Sequence, residues 1–366
     1  MEPTNIKEFQ SKGGGYIPEI DAIRAIAFLL VVIVHFSIPK FNDAVAEMGS
    51  LVASIIHLGW FGVPIFLFIS GYSLGNGKFG KPVKVKNFFI NRLLRIYPLY
   101  FIAAIMLMFT NSLDGAKFLS ILFLQTQDIP KLSPFFVLWT IKLEFICYLF
   151  FPILIYNLNN KIYALYLFAF LILVRIFLYF LPLNMVWDLS YSTIFGGLTL
   201  FSAGILSSNL PIPTNKRKSL FSFITGIFLI VGLMNLFYRL GGDHGSEFNN
   251  YKFYPVLLLF PEIISIAMIL LIIGLRGLNL KFKCFLLQIL THIGRISYSG
   301  YIFHLFVLDF FLRLTLAFNN GSGYISYLLQ FISYMAILIF FSHVSFNAIE
   351  LPFLRIRRQY SGNIKS

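Results

Sequence analysis

The sequence predicts an all-α fold, a polytopic bundle of about ten transmembrane helices with both termini in the cytoplasm. Composition is the first observation behind this prediction: 58% of the 366 residues are hydrophobic and only 12% are charged. Soluble domains carry about 25% charged residues, so this chain is expected to be an integral membrane protein. The second observation is that apolar runs recur at the length a spanning helix needs, about 20 residues.

Ten apolar runs are candidate spans, and a transmembrane domain of residues 21–350 contains them. They cover residues 21–38, 51–74, 96–112, 134–157, 161–181, 190–208, 219–239, 253–275, 297–317 and 324–347. The apolar stretch 118–125 is too short to span and is expected to lie in the interface or to re-enter the membrane. Residues 1–20 and 351–366 are predicted to be cytoplasmic tails, the second resting on anionic lipid headgroups.

The positions of Lys and Arg predict the orientation. With both termini inside, 20 of the 29 Lys and Arg residues fall in cytoplasmic segments, five in outer segments and four within spans. This asymmetry follows the positive-inside rule, which also accounts for the net charge of +14. Nucleic-acid binding is not predicted, because no basic stripe interleaves with aromatic residues on a soluble surface. The two cysteines, Cys147 in an apolar run and Cys284 in a basic loop, predict no disulfide.

Polar side chains inside the spans are the candidates for function. A charged residue at a helix centre costs about 2.5–3.5 kcal/mol on insertion scales, so such residues usually face the bundle interior and have a specific role. The titratable residues that fall in or near the spans are Arg24, His35, His57, Lys142, Glu144, Arg175, Glu262, His304, Asp309, Arg313 and His343.

Arg24 and His35 lie eleven residues apart in the first span. At about 100° per residue they share one helix face and are about 16 Å apart along the axis. This spacing favours an anion held by Arg24 at the cytoplasmic mouth and a proton-transfer group, His35, deeper along the same face. The alternatives are a snorkelling anchor for Arg24 and a polar residue near the outer interface for His35.

The second span ends with Ser70, Gly71 and Tyr72, which place a hydroxyl, a bare backbone and a phenol near the cytoplasmic side. Small residues in membrane helices usually serve close packing, and lining a narrow ligand tunnel is the alternative. The basic loop that follows contains Arg92 and Arg95, one helical turn apart. They are either a topology signal or a phosphate site, since Arg binds phosphate in a bidentate fashion.

The fourth span contains Trp139, Lys142 and Glu144 in the stretch LWTIKLEF. Lys142 and Glu144 are two residues apart and point in different directions, so they are not each other's partner. Glu144 is expected to pair with a histidine or arginine of another helix, either as a structural ion pair or within a site. In the ninth span Tyr301 and His304 share a face, and His304 is alternatively a core histidine that donates to a backbone carbonyl.

Two familiar kinds of site are not indicated. The histidines at 35, 57, 292, 304 and 343 lie on separate segments and no HExxH motif occurs, so no metal site is predicted. No glycine-rich phosphate loop follows a strand, and no G-x-S-x-G nucleophile elbow is present. Glu350, near the inner end of the last span, is expected to cap nearby arginines.

Together these elements resemble the acyltransferase-3 family of bacterial integral-membrane O-acyltransferases. The matching elements follow the family's order and cover nearly the whole chain. They are the Arg24–His35 pair, GVPIFLFISGY at 62–72, RLLRIYP at 92–98, WTIKLE at 139–144, GRISYSGYIFH at 294–304 and ELP at 350–352. Thr140 stands where the family often has serine, a change that keeps the hydroxyl.

The resemblance implies transfer of an acyl group, usually acetyl, from cytoplasmic acyl-CoA to a hydroxyl of a cell-surface polysaccharide or lipid-linked sugar. It places the family's essential histidine at His35 and its paired arginine at Arg24, with the serine–glycine pair at Ser70 and Gly71, the arginine pair at Arg92 and Arg95, and the buried glutamate at Glu144. Our mechanistic hypothesis is that His35 is the catalytic base and that Glu144 orients its imidazole. The three arginines would bind the phosphates of acyl-CoA, whose arm would pass Ser70 and Gly71. Acetyl-CoA or another short acyl-CoA would be the donor substrate, with no permanently bound cofactor, in a multi-pass protein of the bacterial cytoplasmic membrane. The outer segments 113–133 and 239–252 are expected to meet the acceptor.

The residues alone leave other classes of protein open. A ten-helix bundle with buried charges also fits a polysaccharide or lipid exporter, or a proton-coupled transporter without acyl transfer. Carriers often contain paired, Gly/Pro-broken helices from inverted repeats, and no such pairing is visible in the sequence. A sensor or scaffold without turnover is the third class.

Overall fold

The computed structural model describes residues 16–111, 114–125, 129, 133–180, 193–239, 258–279, 285–316 and 323–362, and its regular elements are all helices. The α-helices are α1 Pro18–Ala46, α2 Ser50–His57, α3 Gly62–Gly75, α4 Val85–Asn111, α5 Gly115–Leu122, α6 Trp139–Asn157, α7 Lys161–Phe180, α8 Ile194–Ser207, α9 Lys216–Arg239, α10 Phe260–Leu278, α11 Phe285–Leu316, α12 Tyr324–Ser345 and α13 Leu351–Gly362. Short 3₁₀ turns, Gly59–Phe61 and Phe136–Leu138, precede α3 and α6, and a π-turn, Phe346–Glu350, joins α12 to α13.

The all-α bundle is confirmed, with differences at the helix ends. Among the described residues, seven helices are long and apolar enough to cross a bilayer, or eight if α2 and Gly59–Gly75 form one span with a 52° bend. α8 is apolar but has only 14 residues. The count of ten spans and the cytoplasmic position of both termini stay predictions.

Two helices start earlier than the apolar pattern indicated. α4 begins at Val85 rather than at residue 96, and α11 begins at Phe285 rather than at residue 297. Hydropathy marks only the apolar part of a helix, whereas Lys, Arg and Gln are good helix formers and extend it beyond the membrane. The added turns of α4 contain Arg92 and Arg95, which the sequence had placed in a loop.

The second predicted span is a broken helix, and glycine explains where it breaks. A Cβ on Gly59 would lie 1.9 Å from the Leu30 carbonyl oxygen, and one on Gly62 would lie 2.2 Å from that of Ala27. The chain therefore crosses α1 at backbone contact, which only glycine permits. Pro64, in the first turn of α3, has no N–H to leave unsatisfied and suits a helix start.

Glycine also joins α3 to α8. A Cβ on Gly71 would lie 2.1 Å from the Phe201 carbonyl oxygen, and one on Gly204 would lie 2.1 Å from that of Phe68. Gly71 therefore faces α8 and serves helix packing, the alternative that the sequence left open, rather than the predicted ligand contact. Small residues at such crossings allow van der Waals contact between backbones, which stabilises helix pairs in lipid.

The peripheral segments are only partly described. α5 has eight residues, too few to span, and it is fixed to α4 by Tyr97 and Tyr100, whose hydroxyls donate to Leu122 and Ile121 carbonyls at 2.6 Å. α13 packs on α4, so the predicted C-terminal tail contains a helix. Residues 1–15 and 363–366 of the tails, Cys284 and the outer loop 240–252 lie outside the described residues.

We predict that Gly204→Ala destabilises the protein by about 1–3 kcal/mol, because the new methyl group overpacks the α3–α8 contact. Gly232→Ala is the matched control, since a Cβ at that position would meet no atom of the described residues within 4 Å. Thermal unfolding in detergent measures both variants. Equal unfolding temperatures for the two variants would contradict the packing role.

Candidate active site

Arg24 and His35 both lie on the inward face of α1. Ile26 is 48% exposed and lies about 200° around the helix from Arg24, on the opposite side. Arg24 instead contacts Ser73 of α3, and His35 contacts His304 of α11. The shared face predicted from their spacing is observed, and neither side chain points towards lipid.

Arg24 is held by hydrogen bonds within the bundle. Its Nη1 donates to Asp21 Oδ1 and its Nη2 to Ser73 Oγ, both at 2.8 Å. Asp21 Oδ2 also lies 3.9 Å from Arg295 Nε. A snorkelling anchor would reach towards the headgroups, whereas this guanidinium is fixed between α1 and α3.

The three predicted arginines converge. Arg95 interacts electrostatically with both Arg24 and Arg92, so the three cations of α1 and α4 form one cluster. The nearby carboxylates are Glu144, which interacts with both Arg92 and Arg95, and Glu350, which interacts with Arg95. Glu350 itself is buried and accepts a hydrogen bond from Ser299, so the arginine cap expected from the sequence is reduced to an electrostatic interaction with Arg95.

Arg92 and Arg95 are incompletely neutralised. Among the described residues, neither guanidinium forms a direct ion pair with a carboxylate. Arg92 lies over the rings of Phe88 and Tyr148, at 5.7 and 5.6 Å from their centroids, and its buried Nε has no hydrogen-bond partner. Buried donors without partners cost free energy, and a bound anion would supply the missing acceptors.

Glu144 lies beside this cluster and binds hydroxyl groups. Its Oε1 accepts hydrogen bonds from Ser70 Oγ at 3.0 Å and from Tyr148 Oη. Lys142 lies on the other side of α6, on the face that carries Leu149, 52% exposed. The two charged residues therefore point apart, as predicted, and Lys142 is not part of the cluster.

A stripe of three residues on α3 connects the cluster to the interior. From Gly62 to Gly75 every residue is buried except Phe66, Ser70 and Ser73. Their neighbours are residues on α1, α6 and α11, so this partly exposed stripe faces the interior of the bundle. We call this stripe and the side chains that it faces the corridor.

Tyr301 lies along the corridor between the arginine cluster and the histidines. Its ring centroid is 5.8 Å from that of Phe66 and 5.7 Å from that of His304. Its hydroxyl interacts with Thr140, near the start of α6. Trp139 precedes Thr140 and packs against the core, so the first turn of α6 borders this level of the corridor.

His35 and His304 form a hydrogen-bonded pair of rings, 5.0 Å apart at their centroids. His35 Nδ1 lies 2.7 Å from the Val31 carbonyl oxygen, and His304 Nδ1 lies 2.7 Å from that of Tyr301. Because a carbonyl oxygen can only accept, we assign the proton of each neutral imidazole to Nδ1. His304 Nε2 then offers a lone pair to His35 Nδ1 at 3.4 Å.

This assignment leaves the Nε2 lone pair of His35 unused by the described residues. His35 is partly exposed, so the lone pair is available to a reactant, whereas His304 is fully buried. The structure does not bring Glu144 to His35, although the sequence had suggested it as the orienting carboxylate. The alternative reading of His304, a core histidine donating to a backbone carbonyl, is also observed.

Sequence reasoning missed three hydrogen-bond partners of the predicted site residues. Ser73 and Tyr148 follow Ser70 and Glu144 by three and four residues, so helical periodicity alone could have found them. Arg276 had been counted only as a topology signal. Its Nη1 donates to Tyr72 Oη at 2.5 Å, so Tyr72 ties α3 to the end of α10.

Other charged residues of the spans lie away from the corridor. Arg175 is fully buried and pairs with Glu262, which ties α7 to α10. Arg313 and Asp309 form an exposed ion pair at 2.9 Å on α11. His343 faces His292, with ring centroids 5.3 Å apart, on exposed turns of α12 and α11.

Similarity to known proteins extends over most of the chain. Residues 17–346 match the acyltransferase-3 family model, which is described as an acyltransferase domain. The chain is also 26% identical over 298 residues to "Putative acetyltransferase ORF330" of Acidianus two-tailed virus, a match that covers 79% of this chain and 83% of the viral protein. No solved structure matches the chain.

We predict that Glu144→Gln lowers stability by about 1–3 kcal/mol, because the donors Ser70 and Tyr148 lose a charged acceptor and the arginines lose a counter-charge. Lys142→Gln, two residues away on the outer face of α6, is the control and should change stability by less than about 0.5 kcal/mol. Thermal unfolding in detergent compares them. A Glu144→Gln protein as stable as the control would show that the cluster does not need this charge.

Proposed function

Because this chain belongs to the acyltransferase-3 family, we propose that it is an acyl-CoA-dependent membrane O-acyltransferase. The donor is cytoplasmic acetyl-CoA or another short acyl-CoA, and the acceptor is a hydroxyl of a cell-surface polysaccharide or lipid-linked sugar. The name of the viral relative, an acetyltransferase, supports acetyl as the transferred group. The setting proposed is the bacterial cytoplasmic membrane, with lipid around the exposed apolar side chains of the bundle.

One observation carries the proposal: cations and a free imidazole lie at two ends of one corridor. Arg24, Arg92 and Arg95 converge at one end, and His35 lies about 16 Å further along α1. Coenzyme A has the matching polarity, since its phosphates and its thioester are separated by a long arm. Ser73, Ser70 and Phe66 line the path between the two ends.

The cationic cluster would bind the phosphates of the donor. Guanidinium groups form bidentate, charge-assisted hydrogen bonds with phosphate oxygens. Arg92 has a buried Nε without a hydrogen-bond partner, and neither Arg92 nor Arg95 is paired directly with a carboxylate among the described residues. Glu144 and Glu350 would limit the repulsion between the arginines when no donor is bound. In this proposal Glu144 acts on the binding of the donor, not on the imidazole.

The chemistry would take place at His35 Nε2. The imidazole removes the proton of the acceptor hydroxyl, and the hydroxyl oxygen attacks the carbonyl carbon of the thioester. The carbon–sulfur bond then breaks, and the imidazolium returns the proton to the leaving thiolate of coenzyme A. Tyr301, at this level of the corridor, is the hydroxyl donor proposed for the developing oxyanion. An acyl-histidine intermediate, in which Nε2 itself attacks the thioester, is the second route through the same atom.

A polysaccharide or lipid exporter, or a proton-coupled transporter, is the rival class. It would use a polar corridor for passage and would form no labelled product. Purified protein in proteoliposomes with radiolabelled acetyl-CoA inside and a glycan or glycolipid acceptor outside tests the difference. Label transferred to the acceptor supports the enzyme, and a protein that consumes no acetyl-CoA with any such acceptor would rule it out.

We predict that His35→Ala lowers turnover at least 10²-fold, the contribution expected of a general base, while the protein still inserts. His343→Ala is the matched control, because this histidine is exposed and lies away from the corridor. Turnover in proteoliposomes and unfolding temperature are measured for both. Near-normal turnover of the His35 variant would refute the mechanism.

We predict that the double variant Arg92→Gln with Arg95→Gln weakens binding of free coenzyme A by about 10- to 100-fold, through the loss of charge-assisted hydrogen bonds. Pantetheine, which has no phosphate, should bind equally to the double variant and to the parent. Arg313→Gln, on the exposed face of α11, is the control. Isothermal titration measures the affinities, and unchanged affinity for coenzyme A would place the phosphates elsewhere.

A further inference from the structure

We propose that His304 is a positioning residue for acyl transfer. Its Nε2 is the second acceptor of the His35 Nδ1 proton, beside the Val31 carbonyl oxygen, so that both acceptors hold the ring with Nε2 facing the reactants. His304 also shares the positive charge that His35 acquires. This role rests on the proposed function. It gives the buried partner of His35 the part that a carboxylate plays in a Ser-His-Asp triad.

The orientation of the pair follows from two backbone carbonyls. Val31 and Tyr301 each present an oxygen at 2.7 Å from an Nδ1 atom, and a carbonyl oxygen cannot donate. Only one arrangement of protons satisfies both contacts in the neutral state. In it, the His35 Nδ1–H donates mainly to the Val31 carbonyl oxygen, and His304 Nε2 is a second, longer acceptor of the same proton at 3.4 Å.

The reaction would strengthen this contact. When His35 takes a proton at Nε2, its Nδ1–H becomes a cationic donor, and hydrogen bonds of cationic donors are roughly twice as strong as neutral ones. The stabilisation is thus larger in the transition state than in the ground state, which is the requirement for a contribution to rate.

Burial explains why an imidazole suits this position. His304 is fully buried in the bundle, where a carboxylate would incur several kcal/mol of desolvation. A neutral imidazole can accept the same proton without carrying a charge in the resting protein. Glu144, the carboxylate that the sequence suggested as the partner of His35, instead accepts hydrogen bonds from Ser70 and Tyr148.

The backbone around His304 is held from the far side. Tyr334 Oη of α12 donates to the His304 carbonyl oxygen at 2.9 Å, and the Tyr334 ring stacks on Phe36, which follows His35 in α1. Both histidines are therefore located by the same contact between α1, α11 and α12. This rigidity suits His304, which must keep a fixed distance from the His35 ring during turnover.

Two substitutions separate an acceptor role from a packing role. His304→Leu fills a similar volume and removes the acceptor, whereas His304→Gln keeps an acceptor oxygen. We expect kcat to fall 10- to 100-fold for leucine and to recover most of that loss for glutamine, with the KM for acetyl-CoA unchanged in both. His343→Leu is the control and should leave kcat unchanged. Equal kcat losses for leucine and glutamine, or a changed KM in both, would overturn the inference.

A second measurement does not depend on turnover. Solid-state ¹⁵N NMR of histidine-labelled protein reports which ring nitrogen carries the proton, and His35→Gln identifies the His35 signals. We expect a protonated Nδ1 and an unprotonated Nε2 at both His35 and His304 in the parent protein. A protonated Nε2 at either residue would overturn the pairing. If this pattern is present but no acyl transfer occurs, the proposed function fails while the pairing stands.

Discussion

The cost of burying charge in a lipid bilayer is the constraint on which this structure depends. A charged group among apolar helices needs partners, because neither water nor lipid can satisfy it there. Arg175 meets this requirement with Glu262 and Arg24 meets it with Asp21 and Ser73. Among the described residues Arg92 and Arg95 form no direct ion pair, and they meet carboxylates only at a distance. Where a membrane protein leaves cations incompletely paired, a ligand is the natural counter-charge.

The same constraint separates the corridor into two chemical regions. Its arginine end is ionic and includes Glu144 among its counter-charges. At its histidine end both imidazoles donate from Nδ1 to backbone carbonyls, and this end carries no charge when the two rings are neutral. In the proposed mechanism a charge is created at His35 only during the reaction, next to an acceptor that is already in place. Preorganised acceptors of this kind need no rearrangement when charge develops.

Close helix packing supplies the rigidity that this arrangement needs. The backbone at Gly59 and Gly62 lies directly against α1. Close contacts at Gly71 and Gly204 join α3 to α8 in the same way. With its other sides closed, α3 leaves only one stripe accessible, and that stripe is the corridor wall. The break between α2 and α3 lies at Gly59 and Gly62. The glycines that determine how α3 packs therefore also determine which of its residues face the site.

The sequence by itself determined the all-α membrane class, the shared face of Arg24 and His35, and the family, because composition, helical period and motif order are local properties of the chain. The convergence of Arg92 and Arg95 with Arg24, the contact of Glu144 with Ser70, and the pairing of His35 with His304 were decided only by tertiary structure. The contacts of Ser70 with Glu144 and of His35 with His304 join residues 74 and 269 positions apart, and no periodicity within one helix reports how another helix is rotated against it. Gly71 shows the same limit, since a bare backbone suits a ligand or a neighbouring helix equally, and only the position of α8 distinguishes them.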